Sequence, residues 1–147
     1  MKINKFIAAV MALTIVGGSV PFISDIAPDT VITASAADYK EVTEGDFTFR
    51  VYSDHAELTK YTSTSVKDVT IPSEVSGQPV TFIGEAFYGN MNLTSVTIPD
   101  SVNTIGSFAF YNCQNLSEVK IGDGVTDIGY EAFANCNNLV EVTFGKK

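Results

Sequence analysis

Tryptophan is absent from the 147-residue sequence, histidine occurs once and cysteine twice. Each scarcity removes a class of chemistry. A general base needs a nucleophile or substrate within hydrogen-bond reach, and His55, beside Asp54, reads as a turn residue. Cys113 and Cys136 have no nearby histidine or further thiols with which to close a tetrahedral zinc shell. Two cysteines are also too few for a disulfide scaffold. Glycine-rich phosphate loops, nucleophile elbows and metal-binding spacings are missing. Asp123-Gly124-Val125-Thr126-Asp127 lacks the spacing and terminal glutamate of a calcium loop and reads as solvated turn acids. The sequons at Asn92 and Asn115 recur only because the surrounding phrase recurs, and read as turn residues. The expectation is a chain that is not an enzyme and needs no cofactor or metal.

Basic residues are also scarce, 9 against 17 acidic ones, for a formal net charge of −8. Such a surface is repelled by phosphate backbones and anionic lipid heads, which disfavours nucleic acid as a partner. No apolar run reaches the roughly 20 residues of a membrane span. The one candidate, Phe6 to Val16, follows Lys2 and Lys5 and is broken by Gly17, Gly18 and Pro21. Ala34-Ser35-Ala36-Ala37 comes next, so the order is positive, apolar, then small residues, as in a secretory signal peptide. Residues 1–36 are accordingly read as a signal cleaved after Ala36, leaving a secreted, extracellular or cell-surface protein with no stable membrane span. Cleavage removes two charges of each sign and leaves the net charge unchanged. The remaining roughly 110 residues can bury somewhat over 60% of their unfolded surface, enough for one core.

What the sequence has in abundance is a repeat. Leu93, Leu116 and Leu139 stand 23 residues apart, and the phrases LTSVTIPDSVNTIGSFAFYNCQN and LSEVKIGDGVTDIGYEAFANCNN follow in register. An earlier copy from Val66 to Asn92 fits with an insertion between Pro72 and Ile83 and one residue dropped after Gly84. The units are therefore 66–92, 93–115, 116–138 and a partial 139–147. Val96 and Ile98 alternate with Ser95 and Thr97, and Val119 and Ile121 with Glu118 and Lys120, the period of a half-buried strand. Pro72, Pro99 or Gly122 ends each strand. A second extended piece runs into Gly106 or Gly129, read as bends or positive-φ positions. Ala109-Phe110 and Ala132-Phe133 point inward from an expected helical or 3₁₀ turn. No layer of this size buries its own apolar face, so stability must come from stacking.

The phrase L..V.IP..V..IG..AF..C..L resembles the bacterial BspA-like leucine-rich repeat family, whose members are typically secreted or surface-attached. FTFRVYSDHAELTKYTST, within 37–65, resembles the β-hairpin cap that often precedes such repeats. The resemblance implies a β-rich solenoid of short parallel strands with 3₁₀ or helical turns behind a hairpin cap. It also implies a non-catalytic module for protein–protein interaction or adhesion. A structural or truncated repeat segment without its own ligand, and a carbohydrate or cell-wall recognition module, are the alternatives.

Candidate surfaces follow from the strand period. Asp68, Ser95, Glu118 and Glu141, with Thr70, Thr97, Lys120 and Thr143, form outward ladders that either bind a protein partner or are simply solvated. Tyr88, Tyr111 and Tyr130 near the turns form an aromatic set suited to an interface, to sugars, or to packing between layers. Asn90, Cys113 and Cys136 share one position in three layers. They read as a structural hydrogen-bonding ladder, with an interlayer disulfide as the rival. The partial unit from Leu139 ends in an edge strand, from which weak self-association is expected. N-terminal sequencing of the exported protein should begin at Ala37; retention of Lys2 and Lys5 would overturn the signal-peptide reading.

Overall fold

The computed structural model describes residues 38–146. Residues 1–36, read from the sequence as a signal peptide, and the first residue of the expected cap lie outside the described residues. Eleven strands make up the rest: β1 (Lys40–Glu44), β2 (Phe47–Val51), β3 (Ala56–Tyr61), β4 (Asp68–Thr70), β5 (Glu74–Val75), β6 (Gln78–Ile83), β7 (Ser95–Ile98), β8 (Thr104–Ile105), β9 (Glu118–Ile121), β10 (Asp127–Ile128) and β11 (Glu141–Phe144). The chain coils through two sheets. One is a parallel stack β4-β7-β9-β11, and the other runs β1-β2-β3-β6-β8-β10 with β5 on β6.

The repeat dictates the register. Val69, Val96, Val119 and Val142 are in line, as are Ser95, Glu118 and Glu141. Val69, Val96, Ile98, Val119 and Ile121 point inward and are buried. On the turn side Phe87, Phe110 and Phe133 stack at 4.9 and 5.0 Å between centroids. Tyr61 of the cap continues this spine, 4.9 Å from Phe87. Burying one such ring stabilises by about 1.5–3 kcal/mol, and the column joins cap to repeats. Ile83 and Ile105 are fully buried as expected, whereas Ile128 is 49% exposed because no described layer covers it.

The cap is a three-stranded antiparallel meander rather than a two-stranded hairpin. β2 and β3 pair as read from the sequence, and β1 adds to β2 through a turn in which Gly45 has φ 58°. The insertion in the first repeat is a second hairpin. β5 meets β6 through Ser76 and Gly77, both at positive φ, as the tightest two-residue turns require.

The expected helical or 3₁₀ turns are absent among the described residues, and the reason lies in the amides. Ala109, Tyr111 and Cys113 donate within their own layer to Gly106, Phe108 and Phe110, each three residues back. Phe108, Phe110 and Asn112, interleaved with them, donate instead to the carbonyls of Tyr130, Ala132 and Ala134 in the next layer. Phe108 and Asn112 have φ of 59°, and Glu131 and Asn135 repeat this one layer on. Left-handed residues turn alternate N–H groups toward the neighbouring layer, which a continuous helix cannot do.

Gly106 and Gly129 are not the positive-φ positions their place suggested; close approach requires them. A Cβ on Gly106 would lie 2.8 Å from both the Ile83 carbonyl oxygen and the Phe82 ring, and one on Gly129 would collide with the Ser107 nitrogen. Gly122, standing where other copies have proline, adds a bond that proline lacks the N–H to make: it donates to Ile98 at 3.0 Å. That bond draws the backbones so close that a Cβ there would meet the Pro99 carbonyl carbon at 2.6 Å. Gly122→Pro, although it restores the repeated phrase, should therefore destabilise the protein by about 1–3 kcal/mol through overpacking and the lost bond. Urea unfolding checks this, and a variant with an unchanged midpoint would refute the close-stacking explanation.

Candidate functional site

The outward positions of β4, β7, β9 and β11 form a regular four-stranded surface. Parallel pairing places Asp68, Ser95, Glu118 and Glu141 in one row and Thr70, Thr97, Lys120 and Thr143 in the next. The structure thus brings together all eight residues singled out from the alternation. Strand alternation aims them away from the core while their inward neighbours Val96, Ile98, Val119 and Ile121 anchor the backbone.

Several of these side chains already interact. Asp68 accepts hydrogen bonds from the hydroxyls of Thr94, at 3.0 Å, and Ser95, at 2.9 Å. Lys120 lies 2.8 Å from Glu118, and that contact holds the Lys120 ammonium above its ordinary pKa, with Glu141 adding to the effect. An exposed pair of this kind contributes little to stability, but it sets where the charges stand. Thr94 escaped the sequence reading because it precedes the alternating stretch. Its link to Asp68 follows only from the stacking.

Beside the threonine–lysine row runs a groove of about 520 Å³, lined by Thr97, Lys120 and Thr143 together with Pro99, Asp100, Gly122 and Phe144. The glycines at 122 and 145 keep its side near the strand ends free of side chains. Asp100 accepts the backbone N–H of Asp123 at 2.9 Å, which ties the turns of successive layers along the groove.

The aromatic set sits at the turns. Tyr88 and Tyr111 stack at 5.2 Å with 17° between planes, and Phe108 bridges Tyr111 and Tyr130 edge-on at 5.7 and 5.8 Å. Phe108 was not singled out from sequence. Its place in this ribbon depends on the left-handed backbone that turns it outward beside the tyrosines. Tyr88 and Tyr130 are exposed. Tyr88 and Tyr111 cover one ring face of each other, so the pair leaves less open face for sugar stacking than two separate rings would.

The ladder position differs between asparagine and cysteine. Cys113 and Cys136 donate their thiol protons to the carbonyls of Phe87 and Phe110 in the preceding layer, both at 3.1 Å. Asn90 accepts instead, from the backbone N–H groups of Asn92 and Leu93 at 2.9 and 3.1 Å. In the cysteine layers the corresponding turn closes through main chain, Leu116 N–H to Cys113 and Leu139 N–H to Cys136. His55 lies in its turn but is half-buried, its ring stacked on Tyr52 at 4.5 Å and its Nδ1 2.7 Å from Asp54. That hydrogen bond holds the Asp54 carboxyl below its ordinary range. Among the described residues there is no cluster of metal-ligating side chains and no helix long and apolar enough to cross a membrane.

Known proteins place this architecture. A leucine-rich cell surface protein from Faecalibacterium prausnitzii A2-165 is 38% identical over 71% of this chain, with a TM-score of 0.63. The leucine-rich repeat protein of T. pallidum is 31% identical over 74%, with a TM-score of 0.61. A leucine-rich repeat protein from Bacteroides capillosus is 26% identical over 72% of this chain and 99% of its own length, with a TM-score of 0.52. The matched region spans 32% of the Faecalibacterium chain and 48% of the treponemal one. No curated protein matches the sequence. The model of the BspA type leucine rich repeat region matches residues 57–147 in 6 copies. Together with the stacked 23-residue layers, that match means that the chain belongs to the BspA-type leucine-rich repeat family.

Proposed function

We propose that the chain is a non-catalytic binding module, secreted or held at the cell surface, that engages a protein partner through the outward face of β4, β7, β9 and β11. The observation that carries this reading is the registered double row from Asp68 to Thr143, with the groove along its threonine–lysine edge. Eight outward side chains on short parallel strands are held by a close-packed core. A partner therefore meets a surface that loses little entropy on binding. Polar and charged groups in fixed register favour a partner with complementary charge. Proteins carry such patterns on their surfaces, and adhesion to host or neighbouring surface proteins is the role this suits. The mutual stacking of Tyr88 and Tyr111 makes a carbohydrate platform the weaker alternative.

Replacing Glu118, Lys120 and Glu141 together by alanine tests this. Binding to a panel of extracellular-matrix proteins, cell walls and polysaccharides should fall at least about tenfold, roughly 1.4 kcal/mol, with the melting temperature nearly unchanged. Unaltered capture would remove the strand face as the binding surface.

The outer edge of β11 supports a second contact. Val142 and Phe144 are exposed there, and β11 presents outward the same kind of edge that β9 presents to it. We propose that this edge pairs weakly with a second copy. Light scattering should show a concentration-dependent rise in mass that Val142→Lys abolishes; monomer alone at the highest concentrations would count against it.

A further inference from the structure

Two reactive groups are used by neither the strand face nor the aromatic ribbon. Cys113 and Cys136 hold the same register position in consecutive layers, which sets their Cα atoms about 4.8 Å apart, within the span of a disulfide. Both are free thiols. Their side chains point the same way along the stack, each thiol donating to a carbonyl of the layer before it. The Phe110 carbonyl serves two donors, the Cys136 thiol at 3.1 Å and the Cys113 backbone N–H at 3.3 Å. One shared oxygen thus fixes the sulfur of Cys136 beside Cys113.

The two members of the pair differ in access. Cys113 is fully buried, whereas Cys136 is only half-buried. When Cys136 ionises, the neighbouring Cys113 side chain can turn its proton from the Phe87 carbonyl to that thiolate, which, joined by the Cys113 backbone, lowers Cys136 to about 7 against the opposing effect of burial. The same contact and its own burial push Cys113 up. Asn90 occupies the next place in the column, so reactive chemistry is confined to one pair.

We propose that Cys136 is a site of thiol–disulfide exchange with small-molecule disulfides and that Cys113 is its resolving thiol. The Cys136 thiolate attacks one sulfur of the small disulfide. The S–S bond breaks, the first small thiolate leaves and takes a proton from water, and a mixed disulfide remains on Cys136. Cys113 then loses its proton to water and its sulfur attacks that of Cys136, expelling the second small thiolate, which is protonated in turn. Two protein thiols are oxidised to one disulfide, and one small disulfide is reduced to two thiols. The new bond clamps the third repeat to the second beside the phenylalanine column. Side chains stacked in register keep their Cβ atoms farther apart than a relaxed disulfide prefers, so the bond reverses readily under reducing conditions.

The test is incubation of the folded, reduced chain with oxidised glutathione near neutral pH, with acid quenching and mass spectrometry of intact protein and peptides. The expected course is an adduct on Cys136 alone, giving way to a chain two hydrogens lighter than the reduced form. Cys113→Ser should trap the adduct on Cys136, and Cys136→Ser should slow reaction at least about tenfold, because Cys113 then waits for local opening. The order of labelling in the unmutated chain needs no variant to fold. First reaction at Cys113, an adduct that persists in the unmutated chain, or no reaction while a denatured sample reacts would each overturn the proposal.

Discussion

Every part of this molecule answers to the spacing of its layers. Backbone amides set it: in both sheets, and along the turns, N–H groups reach a carbonyl one coil away, and the coils cannot separate without losing a row of bonds at once. Phe110 shows the coupling. Its N–H reaches Ala132 in the next layer, its carbonyl takes the Cys113 amide and the Cys136 thiol, and its ring stacks between Phe87 and Phe133. Side-chain packing and main-chain bonding thus demand one distance. That agreement explains why the same letters return in each copy and why glycine stands at close backbone approaches such as Gly106, Gly122 and Gly129.

The same constraint divides residues into those that build and those left free. Inward positions admit little variation, since a change in volume disturbs layers on both sides. Outward positions such as Thr97, Glu118 and Lys120 meet solvent, and their identity costs the stack almost nothing. Family membership therefore follows from the first set, while recognition of any partner rests on the second. A fold of this kind supplies a rigid ruled surface and leaves its chemistry open.

Much of this was legible in the sequence, and the illegible parts share a cause. The strands β4, β7, β9 and β11 could be read because alternation of Val and Ile with polar residues is a direct imprint of one buried face. β1 could not, because only Val42 in it is even half-buried and an exposed edge strand leaves little pattern. The left-handed backbone at Phe108 was hidden because phenylalanine carries no preference for it; the neighbouring layer imposes it. Gly106 and Gly129 were seen as bends or positive-φ positions, and the positive φ does not occur, since glycine serves both for unusual φ and for close contact and sequence does not say which. The strand-face rows were found whole from periodicity. Thr94, Phe108 and the groove beside Gly122 were missed because they arise between layers.

The alternation of amides along the turns gives the stack an electrical direction. Phe108, Phe110 and Asn112 send their N–H groups toward the later layer, and the carbonyls of Ala109 and Tyr111 face the earlier one. Peptide dipoles in this column point one way and add, as they do along a helix axis, while those of the sheets largely cancel. The early end is neutralised by the cap, where the Tyr61 amide supplies a donor to Ala86. At the late end, Glu131 brings a carboxylate to the layer where the partial positive charge collects. The solenoid is a polar rod, and any layer added to it in the same manner fits in only one orientation.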